Sequence, residues 1–207
     1  GDNGTPSRNI QPPYTTNQCK GTLYEGGIRV PLIVAGPKVA GANRSTDALV
    51  STVDLYATLL ELAGVNLATT LPTNLVFDSR SFLPVITNAS YEPPERHVLA
   101  ENFAANLPDD VAGRAVRNRQ FKLIQFNNGA QEMYDLTADP YEHTNLLAAT
   151  LSAVQQTNYV ALMNQFGQWQ SAPPPTVTGY AHNGDRFAVQ ATHVEGARTW
   201  LWRNDTL

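Results

Sequence analysis

The chain has 207 residues and a mass of 22.6 kDa, which allows one medium domain or one domain with a small appendage. Hydrophobic residues make up 42% and charged residues 15%, so there is apolar material for a core and the chain is not of the disordered class. Fourteen Lys and Arg against eighteen Asp and Glu give a formal net charge of -4, which argues against a nucleic-acid binder working by counter-ion release; apolar runs of only a few residues argue against a transmembrane helix.

The chain opens on Gly1-Asp2-Asn3-Gly4, adjacent oxygen donors flanked by glycines. A carboxylate beside an amide carbonyl is hard-oxygen ligation suited to Ca²⁺, with Mg²⁺ second, whereas a zinc site would more often place His there. Alone, the same tripeptide reads first as a turn. Residues 1–20 have neither a basic start nor an apolar core, so no signal peptide is read in them. A functional loop normally sits on a rigid element; none precedes Asp2, and the expectation is that the chain starts inside a larger protein. Asn-x-Ser/Thr sequons occur at Asn3, Asn43, Asn88 and Asn204. Cys19 is the single cysteine and cannot form an internal disulfide.

Residues 5–22 are rich in Pro, Thr, Asn and Gln without an apolar period and read as a loop. Residues 28–35, Ile-Arg-Val-Pro-Leu-Ile-Val-Ala, form a continuous apolar run closed by Gly36-Pro37, which predicts a buried strand of a mostly parallel sheet, weakened at Pro31. Residues 51–64 predict a helix with Val53, Tyr56, Leu59, Leu60 and Ala63 on one face, Ser51 as N-cap, Asp54 in the first turn and Gly64 at the end. Strand, loop and helix in succession are α/β grammar.

The grammar changes after about residue 86. Residues 97–101, 114–118, 121–126 and 132–134 predict short strands, with a hairpin turn at Asn127-Asn128-Gly129. Asp139-Pro140 breaks the chain. A helix over 151–169 then carries Leu151, Val154, Leu162, Phe166 and Trp169 as one stripe. The expectation is a small antiparallel sheet with a packed helix. Pro173-Pro174-Pro175 reads as a stiff linker. A hairpin is expected over 186–194 and 198–203, turning at Glu195-Gly196, with Trp200 and Trp202 on one face as half-buried strand aromatics.

Lys20 lies between the polar loop and a glycine-rich turn. As a compact point charge it suits a tetrahedral oxyanion, although a lone lysine is usually a solvated surface charge. Arg29 reads as a structural ion pair with Glu25. His97 and His143 read as structural or surface residues, and His182 and His193 have no ligand spacing between them.

These residues carry a resemblance. Lys20-Gly21-Thr22-Leu23-Tyr24-Glu25-Gly26-Gly27-Ile28-Arg29-Val30-Pro31 resembles the lysine-glycine segment of sulfatases of the arylsulfatase type, in the alkaline phosphatase superfamily. Gly1-Asp2-Asn3-Gly4 resembles their second metal-ligand motif. Val53-Asp54-Leu55 through Leu59-Leu60-Glu61-Leu62-Ala63-Gly64 is similar to the helix that follows, with Ala57 where the family often has proline. Ala115-Val116-Arg117, Phe121-Lys122-Leu123-Ile124, Met133-Tyr134-Asp135-Leu136, Asp139-Pro140-Tyr141-Glu142 and Asn145-Leu146 resemble the end of the family's C-terminal subdomain. The likeness runs in register over roughly residues 1–150.

The resemblance implies an α/β fold: the C-terminal part of an alkaline-phosphatase-like sandwich over 1–85, a C-terminal α+β subdomain with the small sheet and helix over 86–172, and a linker and hairpin tail over 173–207. It implies Asp2 and Asn3 as calcium ligands and Lys20 as the catalytic lysine that holds the sulfate. The family's nucleophile is a formylglycine made from Cys or Ser in Cys/Ser-x-Pro-x-Arg. Gly4-Thr5-Pro6-Ser7-Arg8 imitates that spacing, but Gly4 has no side chain to convert, and Gly21 and Leu23 stand where Cys19 would need Pro and Arg. The nucleophile, the first metal-binding aspartates and the active-site histidine are therefore expected in a missing N-terminal half or partner chain, and these 207 residues alone are predicted inactive. The implied substrate is a sulfated small molecule or glycan, and the implied location is periplasmic, extracellular or lysosomal. The alternatives are a phosphodiesterase or phosphonate hydrolase of the same superfamily, disfavoured for two zincs because Asn is a poor zinc ligand, and a non-catalytic truncated or binding domain.

Overall fold

The computed structural model describes residues 3–71, 77–103, 107–170, 177–183 and 186–191. Its helices are α1 (Glu25–Ile28), α2 (Asp54–Leu62), α3 (Leu67–Thr70), α4 (Leu83–Thr87) and α5 (Ala153–Gln170). Its strands are β1 (Val98–Asn102), β2 (Gly113–Arg117), β3 (Phe121–Phe126), β4 (Gln131–Asp135), β5 (Val177–Asn183) and β6 (Arg186–Ala191). The chain divides into two compact units, residues 1–52 with 82–166 and residues 53–81 with 167–207.

The first unit is built on the four-stranded antiparallel meander β1-β2-β3-β4, as the alternating strands and the Asn-Asn-Gly turn predict. Gly129 has φ +89° and its N–H reaches Phe126 O at 3.0 Å, a conformation that an L side chain would strain. Val116, Leu123 and Met133 are cross-strand partners and fully buried. Their face carries α5, where Leu162 and Phe166 are buried. Tyr159 donates to Gln131 Oε1 at 2.7 Å, Asn118 Nδ2 donates to Asn158 Oδ1 at 2.9 Å, and the Arg114 guanidinium lies 5.4 Å from the Phe166 ring centre. Ser152 and Gln155 start α5 reciprocally, each side chain accepting the other's backbone N–H, which is a capping box. Of the predicted stripe, Val154 is exposed.

The opposite face of the sheet presents Ala115, Ile124 and Tyr134, which with Leu136 form a core around Leu23 from the N-terminal loop. The sheet is thus sandwiched between α5 and the 18–28 segment. That arrangement makes it a platform for the predicted lysine loop.

Two expectations are corrected here. Residues 29–35 form no strand, and Ile33 is 88% exposed with Leu32 and Val34 also exposed. A strand of this apolar type forms when neighbours on both sides satisfy its backbone and both faces are covered; none of the six described strands pairs with it. The glycine-rich turn before it is the short helix α1 rather than an irregular approach to a strand.

The second correction concerns α2, in the second unit. Its N-cap residue is Val53, with no side-chain cap hydrogen bond, and not Ser51. Asp54, Ala57 and Thr58 are buried, while Val53, Tyr56 and Leu59 are exposed. The helix turns its small polar face inward because Arg80 N donates to Asp54 Oδ1 at 2.9 Å and Ala57 N donates to Ser79 Oγ at 3.0 Å. Gly64 ends the helix as predicted, at φ +86°, with its N–H to Glu61 O and that of Val65 to Leu60 O; glycine tolerates this left-handed closure. In the tail a hairpin pairs β5 with β6, and β6 falls within the first strand of the hairpin expected there. Its predicted second strand, with Glu195, Gly196, Trp200 and Trp202, lies outside the described residues.

Candidate functional site

Three segments converge near the N-terminus of the described chain. Gly4 N donates to Gly27 O at 2.8 Å, Thr5 N to Gly26 O at 3.3 Å, and Lys20 N to Thr5 O at 2.8 Å. The backbone of Lys20 is therefore bonded two residues from Asn3. Such closeness requires glycine: a Cβ on Gly4 would overlap Gly26 O, and one on Gly26 would overlap Gln18 O.

Lys20 occupies the corner of a turn. Thr22 N and Thr22 Oγ1 both donate to Cys19 O, at 3.1 and 2.7 Å. Gly21 has φ +88°, the sign that the third position of a type II turn demands. Asn102 Nδ2, from β1, donates to Gly21 O at 2.7 Å. The lysine side chain is exposed and makes no hydrogen bond or ion pair among the described residues. An ammonium held on a fixed turn without a partner is available to an anion.

The flanks of the turn are anchored to the sheet and to the 139–146 loop. Gln18 Nε2 donates to the carbonyls of Tyr141 and Glu142, both at 2.9 Å. Leu23 fills the core. The Glu25 carboxylate meets Lys122 Nζ at 3.2 Å and Arg117 Nη1 at 2.7 Å, and Glu25 N donates to Glu142 Oε2 at 2.5 Å. Lys122 Nζ also approaches Glu142 Oε1 at 2.7 Å, an ionic approach out of line for a hydrogen bond. Lys122, Glu25 and Glu142 are all buried. Burial works against the Glu25 carboxylate, but Lys122 and Arg117 outweigh it and hold it below the ordinary range. Burial prevails at Glu142 and pushes it up, with Lys122 pulling the other way.

This network corrects the reading of Arg29 as the partner of Glu25, whose ion pairs go to β2 and β3 instead. The sequence signals only that Lys122 needs a partner: it lies within an apolar strand, on the face of Ile124 and Phe126, where an unpaired ammonium is not tolerated.

A polar cleft of about 490 Å³ lies beside the network, lined among others by Gln18, Tyr24, Glu132, Tyr134, Glu142 and His143. Tyr24 and Tyr134 both donate to Glu132 Oε2, at 2.7 and 2.8 Å. Burial and that carboxylate push both phenols up, so they stay protonated donors.

Asp2 lies outside the described residues. Asn3 is exposed and offers a hard carbonyl oxygen, whose type fits a calcium shell. Among the described residues no group of three or more His, Cys, Asp or Glu could hold a metal. Cys19 is a buried free thiol. His143 Nε2 meets Pro13 O at 2.7 Å, a structural role as expected, and His193 is outside the described residues.

Residues 18–168 match the family model of the N-sulphoglucosamine sulphohydrolase C-terminal domain. A sulfatase of Formosa agariphila is 36% identical over 160 residues, covering 72% of this chain and 28% of that protein. Mouse arylsulfatase K is 33% identical over 138 residues, covering 61% of this chain and 23% of that protein. An N-acetylglucosamine-6-O-sulfatase of Bacteroides thetaiotaomicron is 28% identical over 174 residues, covering 81% and 30%. A solved Bacteroides thetaiotaomicron structure assigned to the sulfatases superposes with a TM-score of 0.57 at 25% identity, over 70% of this chain and 31% of that one. The chain thus spans less than a third of the length of each.

Proposed function

The chain belongs to the sulfatase family, and from that premise we propose that it is the C-terminal portion of a hydrolase of sulfate esters, with Lys20 as a catalytic lysine and Asp2 and Asn3 as ligands of a divalent cation, calcium by donor type. The observation that supports the reading is the Lys20 turn: an exposed ammonium with no partner among the described residues, whose backbone is bonded to Thr5, two residues from Asn3. Residues 1–85 belong in this reading to the catalytic domain, 86–172 to a C-terminal subdomain and 173–207 to a linker and tail.

Cleaving a sulfate ester breaks the bond between sulfur and the leaving oxygen, and negative charge grows on the oxygens around it. Lys20 binds one of those oxygens and stabilises the growing charge from a fixed place, which is worth most when the donor need not reorganise. Gly21 and Thr22 keep the turn closed, which fixes the backbone from which the ammonium reaches out. Asp2 and Asn3 would hold part of a calcium shell, and the bound ion would supply Lewis-acid polarisation of the sulfate.

No residue of the 207 fits the formylglycine motif. Gly4 lacks a side chain, and Cys19 is buried and followed by Lys20 and Gly21. The nucleophile in this reading comes from sequence or a chain beyond these residues, which acts on a sulfated small molecule or glycan. We place the protein outside the cytoplasm, exported or lysosomal. Among the described residues no helix is long and apolar enough to cross a membrane.

The test compares aryl sulfate with aryl phosphate hydrolysis by the longer polypeptide that carries this chain, alongside the 207 residues alone and Lys20→Ala in the longer form. The expected result is sulfate turnover by the longer form only, falling about 10²- to 10³-fold in Lys20→Ala, the loss typical of one oxyanion donor. Turnover by the 207 residues alone, faster phosphate than sulfate hydrolysis, or an unaffected Lys20→Ala variant overturns the reading.

A further inference from the structure

We propose that Glu25 is a positioning residue for Lys20: with Gly26 it clamps the lysine turn and the segment after Asn3 onto the antiparallel sheet through Lys122 and Arg117. The proposal rests on the assignment of Lys20 to sulfate and adds to it the element that fixes where that lysine stands.

The attachments of residues 25–27 run in three directions. Toward the N-terminus, the Gly26 and Gly27 carbonyls accept the N–H groups of Thr5 and Gly4. Alongside, Gly26 lies so close to Gln18 O that no side chain fits between them. Toward the sheet, the Glu25 carboxylate sits between Lys122 of β3 and Arg117 of β2, at 3.2 and 2.7 Å. Glu142 meets the Glu25 N–H and Lys122, and Arg29 adds a smaller attraction.

Lys20 has no side-chain anchor of its own among the described residues. Its place follows from its N–H to Thr5 O and from the turn that Thr22 closes. A continuous line of bonds therefore runs from the sheet to the lysine: Lys122, Glu25, Gly26, Thr5, Lys20. Buried ion pairs often contribute little net stability compared with apolar residues of the same volume. A carboxylate gripped by two cations nevertheless fixes direction and distance, which an apolar contact does not. Fixed placement matters at a site of this kind, because a misplacement of about 1 Å can cost about 10²-fold in rate.

Cys19, buried between Gln18 and Lys20 and the single thiol of the chain, reports on the clamp. The experiment measures its rate of labelling by a soluble disulfide in the 207-residue chain, with amide exchange of β2 and β3 followed in the same samples. In Glu25→Gln the labelling rate is expected to rise about 10-fold or more beyond any acceleration of strand-amide exchange, the signature of local opening on top of the variant's lower global stability. Glu25→Asp, which keeps the charge, restores the rate to within about three-fold. Gly26→Ala, which forces Gln18 away and removes no member of the ion network, also speeds labelling. An unchanged rate in Glu25→Gln overturns the proposal. So does a rise in labelling no greater than the acceleration of amide exchange in β2 and β3, which makes the network general core support. Should Glu25→Gln not fold, Gly26→Ala decides alone, and unchanged labelling in it overturns the clamp. Lys20→Ala removes only the ammonium and leaves Cys19 protected, so failure of the sulfate assignment, seen as full turnover in that variant, is separate from failure of the clamp.

Discussion

Replacing Lys122 by Met removes a cation that is wholly buried and faces two buried carboxylates. Met matches the lysine stem closely, so little cavity is created. Glu25 keeps Arg117 at 2.7 Å. Glu142 keeps the Glu25 N–H at 2.5 Å but loses the cation at 2.7 Å. Removing one partner of a buried ion pair costs about 3–5 kcal/mol, because a charge is left uncompensated. In a chain of this size that corresponds to a fall of roughly 6–20 °C in Tm. Burial already pushes Glu142 up, and without Lys122 it rises further. A group whose folded pKa is raised favours the folded state while protonated and loses that advantage as pH rises through its folded value. The deficit of Lys122→Met is therefore largest at neutral pH and shrinks toward acid pH. Urea unfolding of the chain by far-UV circular dichroism, at pH 7 and pH 5, measures it. Adding Glu142→Gln should recover about half of the loss or more, because the orphaned charge is gone. A loss below about 1 kcal/mol at pH 7, or no recovery in the double variant, refutes the reasoning.

Three further outcomes are expected. Phe166→Ala, on the face of α5 packed against the sheet, should cost about 3–5 kcal/mol in the same unfolding assay; a surface-like effect would contradict the packing of α5 on the sheet. Glu25→Gln should destabilise most at pH 7. The Glu25 carboxylate is held below its ordinary value of 4.5, so its contribution is present above that value and is lost as pH falls through the lowered one. The penalty should thus fade below pH 4.5, and a pH-independent penalty would contradict it. Lys20→Ala should leave stability within about 0.5 kcal/mol, because the side chain is exposed and unpaired among the described residues; a larger change would mean that the ammonium has a structural partner.

The four strands of the sheet, the hairpin turn at Gly129 and the helix carrying Leu162 and Phe166 were legible in the sequence, because each is stabilised by neighbours close along the chain. Residues 29–35 were misread for the opposite reason. Their apolar run reports a preference for burial, but a strand also needs partners, and the described residues offer none. The inverted face of α2 has a similar origin: periodicity marks Val53, Tyr56 and Leu59, whereas Asp54 is drawn inward by a backbone N–H at Arg80, 26 residues on. At the candidate site, the residues of the lysine turn were visible from motif and glycine spacing. The partners of Glu25 were not, since Arg117 and Lys122 are more than ninety residues away and reach it only through the register of β2 and β3.

The most direct test of the central claim is the intact mass of the protein from its natural source, with its sequence read by mass spectrometry. The account predicts a species much larger than 22.6 kDa, carrying upstream of Asp2 a formylglycine derived from Cys or Ser. A species of 22.6 kDa beginning at Gly1, found without a second chain that bears such a residue, would contradict it.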